Sequence, residues 1–239
     1  MIPKTIHYCW FGNGKFPKLA QKCLESWKKF CPDYEIICWN EEKFDLNINT
    51  YVKEAYENKK YAFVTDYVRL YVLYNYGGIY MDTDVEAIKS LDEFLQHKAF
   101  SGFENETDIP TGIMGSEKGV KIFKELLNYY ESIHFKKKDG TLDITSNVTT
   151  ITNIMKNKGL KQNNELQTVE EFTLYPKEYF CPIDYPTKTK TITENTYTIH
   201  WFSGSWVSNK DKAKIRTYNI LVKIFGQNTI NKILVKKRK

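Results

Sequence analysis

Two acidic side chains one residue apart, in the run Asp82-Thr83-Asp84, are the groups in this chain best suited to hold a divalent cation. On an extended segment, side chains at i and i+2 point the same way, roughly 6 to 7 Å apart. That spacing suits a hard cation held by one or two carboxylates, its other positions left to water and phosphate oxygens. Alone the signal is weak, because a chain with eleven Asp yields an Asp-x-Asp by chance about half the time. Its setting is more informative. From Ala62 to Tyr76 nearly every residue is apolar or aromatic, with no Gly or Pro, which is the composition of a helix covered on all sides. Asp66 and Arg69 are the charges it carries. They are three residues apart and share a face, so the helix brings a carboxylate and a guanidinium to one place. A buried ion pair with a purely structural role explains that pair about as well as a recognition site does. Gly77 and Gly78 end the helix, Ile79-Tyr80-Met81 reads as a short buried strand, and the acidic pair emerges from its end.

Taken jointly, Thr65-Asp66-Tyr67-Val68-Arg69 followed by Gly77-Gly78-Ile79-Tyr80-Met81-Asp82-Thr83-Asp84 resembles the signature of the glycosyltransferases with a DXD sugar-binding region. That group includes bacterial capsular-polysaccharide transferases, fungal initiating mannosyltransferases and the catalytic domain of the large clostridial glucosylating toxins. The likeness extends to Ile2 through Gly12 at the N-terminus and to His200-Trp201 and Ser205-Trp206 near the C-terminus, and is faint between about residues 100 and 190. It implies a GT-A type nucleotide-diphospho-sugar transferase fold, an α/β domain with a mainly parallel central sheet flanked by helices. It also implies retention of anomeric configuration, which no spacing in the chain demonstrates. In transferases of that architecture a residue of the closing segment completes the metal shell, which makes His200 and Ser205 the expected partners of Asp82 and Asp84. Trp10, at the end of the first strand, is either a core residue or a platform for the nucleobase, and the likeness favours the platform. Trp206 is expected to fold over the donor as a lid that excludes water.

With that frame, each residue acquires a role. A divalent cation, Mn²⁺ or Mg²⁺, is expected on Asp84, with Asp82 bonding the ribose or a cation-bound water; the charge growing on the departing diphosphate would be neutralised there. Asp66 and Arg69 would bond donor-sugar hydroxyls, and Arg69 a phosphate oxygen as well. Tyr80, on the same side of its strand as Asp82, would hold a sugar hydroxyl or phosphate.

Length and composition set the bounds. A chain of 239 residues with 41% hydrophobic content is large enough for one well-buried domain, expected over 1–208, with 209–239 as a basic helical tail. The net charge of +6 suits an anionic ligand or surface. Five irregularly spaced cysteines fit a reducing compartment better than a disulfide framework, and there is no zinc-type pair. With no apolar leader and no apolar run of membrane-spanning length, the expected location is cytoplasmic. The tail ending Lys236-Lys237-Arg238-Lys239 adds an expectation of peripheral contact with the inner face of the plasma membrane, against the simpler reading of a solvated tail.

The elements that must position these groups can also be read. Lys4–Trp10 is a strand, Lys18–Phe30 an amphipathic helix with Cys23 and Trp27 on one face, and Tyr34–Trp39 a second strand: a βαβ unit favouring parallel strands. Tyr51–Asn58 is a short helix. After Asp84 the chain leaves the site, turns at Leu91–Leu95, and forms strands at Ala99–Phe103 and 111–116 around an acidic loop from Glu104 to Asp108. Helices follow at Gly119–Ile133 and from Ile144 to Met155, the latter capped by Thr145 or Ser146. Thr173 to Pro186, with three prolines, reads as irregular edge structure, and Tyr197–Trp201 as a late strand. Two more helices are expected between Lys210 and Leu234.

The function that follows is metal-dependent transfer of a hexose from a nucleotide-diphosphate sugar, UDP-linked by likeness, to a glycan or lipid-linked saccharide, as in capsular or surface polysaccharide synthesis. No nucleic-acid partner is expected. Two rivals compete. A glycoside hydrolase also uses two carboxylates, but places them on opposite sides of the scissile bond, whereas Asp82 and Asp84 point together. A noncatalytic carbohydrate or nucleic-acid binding module explains the charge and the aromatics but leaves Asp66 and Arg69 idle in the core.

Overall fold

The structure is a computed structural model that describes residues 1–204, apart from Thr111 and Pro186, together with Thr217, Ile220 and Leu221. β1 (Thr5–Cys9), α1 (Lys18–Phe30) and β2 (Glu35–Trp39) form the expected βαβ unit, the two strands running parallel with Thr5 opposite Glu35 and Cys9 opposite Trp39. α1 buries Ala20, Cys23, Ser26 and Trp27 and turns its lysines outward. α2 (Thr50–Glu57) starts where the Asn49 side chain accepts the amide of Val52.

α3 (Tyr61–Tyr76) is the covered helix that its composition predicts. Val64, Val68, Leu70, Val72 and Leu73 are completely buried, and each contributes about 1.5–3 kcal/mol. That gain offsets the cost of carrying Asp66 and Arg69 into the same interior. Gly77 caps the helix at φ 73° and Gly78 continues at φ 95°, backbone that favours glycine. A Cβ on Gly78 would also lie 2.8 Å from the Thr5 carbonyl oxygen, so this turn presses directly on β1. β3 (Gly78–Met81) then pairs parallel to β1. His7 locks the junction: its Nε2–H donates to the Gly77 carbonyl at 2.9 Å while Nδ1 accepts from the Trp39 indole at 3.1 Å.

β4 (Val85–Ala87) follows, then a 3-10 turn at Asp92–Phe94, β5 (Ala99–Gly102), β6 (Ile113–Ser116) and α4 (Lys121–Glu131). α5 (Asn147–Asn157) is capped by Ser146. The chain continues through β7 (Gln167–Val169), β8 (Phe172–Tyr175), α6 (Lys177–Phe180) and β9 (Thr198–His200). The main sheet has the order β2-β1-β3-β6-β5-β8-β7. Five of its seven strands run one way, and β6 and β7 run against them. Hydrophobic clusters cover both of its faces, one built on α2, α3, α4 and α5 and the other on α1 and the Asp92–Phe94 turn.

Two parts depart from expectation. Thr173–Tyr175 is not irregular edge structure but β8, an interior strand parallel to β5, with β7 at the edge beyond it. The prolines fall after the strand, where Pro176 precedes α6, so they break nothing. The chain after Asp84 does not simply leave the site either. β4 pairs antiparallel with β9 in a separate two-stranded sheet that sets Val85 opposite His200. All five cysteines are free thiols. No helix among the described residues is long and apolar enough to cross a membrane. The 209–239 unit, except for three residues, lies outside the described residues, as do Ser205 and Trp206.

Candidate active site

The acidic pair sits on a turn rather than on an extended strand. The Val85 amide bonds back to the Asp82 carbonyl at 2.9 Å, which draws the two carboxylates together. One oxygen each from Asp82 and Asp84 and one nitrogen of His200 lie within 4.8 Å of one another, closer than the strand spacing predicts. The β4–β9 ladder delivers His200, and the Trp201 amide bonds the Asp84 carbonyl at 3.0 Å. His200 Nε2 stands 3.3 Å from Asp84 Oδ1, while the Ser203 amide donates to Asp84 Oδ2 at 2.7 Å. Gly112 makes room for this packing, since a Cβ there would lie 2.9 Å from the His200 ring; its carbonyl accepts the Asp82 amide at 2.8 Å.

On the other side of Asp82 lies the helix pair. Arg69 NH2 is 3.3 Å from Asp66 Oδ1 and 3.3 Å from Asp82 Oδ1, so one guanidinium bridges two carboxylates. It also donates to the Thr65 carbonyl and hydroxyl, and its plane lies over the Tyr80 ring, 4.7 Å from the centroid. Tyr80 is buried and points its hydroxyl at Asp82 Oδ1, 2.8 Å away, not into open space. It therefore orients the carboxylate instead of reaching a sugar hydroxyl or phosphate directly.

Electrostatics follow from this arrangement. Burial pushes the Asp66 carboxyl up to about 6; Arg69 opposes the shift, but the like charge of Asp82, on the other side of the guanidinium, adds to it. Burial works against the charge on Arg69, yet Asp82, Tyr80 and Asp66 hold it firmly protonated. Burial likewise opposes the charge on Asp84, but His200 and Ser203 hold it well below the usual carboxylate range. His200 is kept protonated against its own burial, chiefly by Asp84.

A divalent cation fits this cluster on two grounds. Once His200 gives up its proton to serve as a neutral ligand, Asp66, Asp82 and Asp84 against the guanidinium of Arg69 leave two negative charges, the amount such an ion neutralises. The donor set of two carboxylates and an imidazole is also one that Mn²⁺ accepts, with positions to spare for phosphate oxygens, while the harder Mg²⁺ would rest on the carboxylates alone. His200 Nδ1 is buried without a well-formed hydrogen bond, its polar neighbour being the Cys181 thiol, so Asp84 is the strong tie the ring makes. The hydrolase alternative loses its footing here: the two carboxylates converge instead of flanking a gap, and each is already tied to a cationic partner.

Asp66, Arg69, Tyr80, Asp82, Asp84 and His200 are thus brought together as the sequence suggests. Trp10 is not in contact with them; it lies half-buried at the end of β1, edge-on to Phe16 with ring centroids 4.8 Å apart and its indole bonded to the Gly14 carbonyl. Two nearby residues were given no role at the site by the sequence reading, which placed Glu104 only at the start of an acidic loop. Glu104 begins the loop between β5 and β6, and its burial raises its carboxyl pKa in the field of His200 and Asp82. Lys188 packs on Tyr185 and Phe202 beside His200. Single polar residues in loops carry no periodicity, so no pattern announced either.

Residues 17–101 match the family described as glycosyltransferase sugar-binding region containing DXD motif, a span that holds α3, β3 and the acidic pair. Over that span the chain is similar to the glycosyltransferases with a DXD sugar-binding region. That part of the chain is also similar to curated proteins. Inositol phosphoceramide mannosyltransferase 3 of Schizosaccharomyces pombe is 31% identical over 145 residues, covering 56% of this chain and 40% of that protein. An uncharacterized glycosyltransferase of Acanthamoeba polyphaga mimivirus is 25% identical over 90% of this chain and 88% of its own length. The chain spans about 40% of the first of these relatives. Among solved structures, a glycosyltransferase involved in glycosylation of the major capsid of PBCV-1 aligns with 88% of this chain and 98% of its own, with a TM-score of 0.48 and 11% identity.

Proposed function

We propose that this protein transfers a hexose from a nucleotide-diphosphate sugar to a hydroxyl of a glycan or lipid-linked saccharide, with Mn²⁺ or Mg²⁺ as cofactor. The observation that carries the reading is the convergence of Asp82, Asp84 and His200 beside Asp66 and Arg69, within reach of the segment that matches the DXD family. Asp84, Asp82 and His200 would hold the cation. When bound, it supplies Lewis-acid neutralisation of the charge that grows on the leaving diphosphate.

The chain's own residues do the rest. Arg69 and Tyr80 fix the rotamer of Asp82, both holding Oδ1 while Arg69 also reaches Oδ2 at 3.5 Å, so the carboxylate is aimed before the donor arrives. Asp66 has one oxygen toward Arg69 and keeps acceptor capacity for hydroxyls of the donor sugar. Trp10, at the carboxyl end of β1, is the candidate base platform, and Ser205 and Trp206 remain candidates for closing the site. Relatives named as mannosyltransferases make mannose a candidate sugar alongside the UDP-hexoses. A lipid-linked acceptor, a role in surface polysaccharide synthesis, and reaction at the cytoplasmic face of the plasma membrane belong to the same proposal.

Thermal-shift measurements with UDP-glucose, UDP-galactose and a nucleotide-activated mannose, with and without Mn²⁺, test it. Ligand at a hundredfold excess over its Kd stabilises by about 2.7 kcal/mol, or roughly 5–10 °C for a chain of this size. One donor is expected to give that shift only with the cation, and Asp84→Asn to abolish it. Undiminished cation-dependent donor binding and turnover in Asp84→Asn would overturn the reading.

A further inference from the structure

We infer that Lys188 is a donor-binding residue that pairs with the diphosphate of the nucleotide sugar, on the face of the site lined by Phe202. The inference rests on the donor class proposed above and adds a residue to it.

The loop carrying Lys188 is held shut at its base. Ile183 and Lys190 form an antiparallel bridge, the Asp184 amide donates to the Thr189 carbonyl at 2.9 Å, and the Lys188 amide donates to the Asp184 carbonyl at 2.8 Å. The Asp184 carboxylate accepts the Thr187 amide at 2.9 Å, which braces the turn from within. Lys188 itself is at φ 58°, a conformation that non-glycine residues seldom hold. From there its Nζ lies 4.1 Å from the centroid of the Tyr185 ring and 5.5 Å from that of Phe202. Phe202, also left-handed at φ 50°, stacks on His200 with centroids 4.1 Å apart. One ring therefore separates the ammonium from the imidazole expected to hold the cation. Two unusual backbone conformations meet where that ring is clamped.

The ammonium has rings around it but no carboxylate within ion-pair distance among the described residues. Lys4, Lys98 and Lys158 each sit on an Asp or Glu; Lys188 shares its lack of an ion pair with other exposed lysines, and what sets it apart is its place against two rings beside His200. Asp84 is the acidic group nearest in influence, and it is already bound by His200 and the Ser203 amide. Lys188 is exposed overall, and the rings shed only part of the water from its ammonium, which lowers its pKa against the opposing pull of Asp84 and Asp184. A lysine ammonium is a compact charge suited to phosphate oxygens, and ring faces that limit its freedom reduce the entropy lost on binding. A diphosphate bridging to the cation on Asp84 would supply the missing anion.

The test is calorimetric titration of UDP and GDP, and of the corresponding monophosphates and nucleosides, in the presence of Mn²⁺. Lys188→Met keeps the apolar stem and its ring contacts but removes the charge, whereas Lys188→Arg keeps the charge. For the nucleoside diphosphate that the wild type binds, Lys188→Met should weaken affinity by about 10- to 100-fold, the size expected for a charge-assisted hydrogen bond. Lys188→Arg should restore it to within a few-fold, and the ligand-free melting temperature and affinity for Mn²⁺ alone should match the wild type in both variants. A purely structural lysine would move the melting temperature and leave the affinity alone. Equal nucleoside-diphosphate affinity in Lys188→Met and wild type overturns the role of Lys188 only. A wild type that binds no nucleoside diphosphate overturns the donor class and this role with it.

Discussion

Asp66 should destabilise the protein at neutral pH, and Asp66→Asn should raise stability while removing donor affinity. Burial, reinforced by Asp82 and only partly offset by Arg69, moves the carboxyl from an ordinary 3.8 to about 6. At 1.36 kcal/mol for each pH unit, keeping the group ionised in the folded state costs about 3 kcal/mol at neutral pH. The folded state binds this proton more tightly than the unfolded one. Its contribution therefore improves as pH falls from about 6 toward 3.8 and is lost as pH rises through 6. Asn cannot ionise, yet its amide oxygen still faces Arg69, and Asn147 continues to bond the main-chain carbonyl of residue 66. At about pH 7.5 the variant should gain up to about 3 kcal/mol, or roughly 6–12 °C in melting temperature, and the gain should vanish near pH 4. Urea unfolding of both proteins across that range measures it. A variant less stable than wild type at about pH 7.5 would show that Asp66 is a net stabilising partner of Arg69, and the picture of a carboxylate carried into the core for recognition would fail.

His7 should give a slope of opposite sign. Burial, partly offset by the bond to Gly77, holds its pKa down at about 4, so the unfolded chain takes up a proton from 6.5 downward while the folded one does not. Stability should drop by about 3 kcal/mol across that window, masked in wild type by Asp66 and visible in Asp66→Asn. Adding His7→Gln to that background should flatten the urea midpoints, and a slope that persists would assign the effect elsewhere. Gly112→Ala places a methyl 2.9 Å from the His200 imidazole, so Mn²⁺ affinity measured by titration should fall while stability changes by only about 1–3 kcal/mol. Unchanged Mn²⁺ affinity would remove His200 from the cation's shell.

Much of the site was legible because its residues stand out against their surroundings. Asp66 and Arg69 are conspicuous in an apolar helix, and the glycine pair that follows predicts a sharp reversal into β3. The closeness of Asp82 to Asp84 was not legible, because a two-residue spacing does not distinguish a strand from the turn closed by the Val85 amide. β7 and β8 were obscured by their shortness and by Glu170-Glu171 between them, which breaks the alternation that marks a strand. Pairing of β4 with β9 joins segments more than a hundred residues apart, and no local pattern encodes a partner at that distance. Lys188 and Glu104 become visible only once the loops that carry them are folded against His200.

That long-range pairing bears on how the protein is made. While a ribosome has produced only the first 195 residues, the helix carrying Asp66 and Arg69 and the acidic turn after it are already present, but the imidazole and the Ser203 amide that bond Asp84 are not. On the proposed function, a nascent chain that lacks His200 and Ser203 is expected to hold the cation poorly until the closing strand has been added.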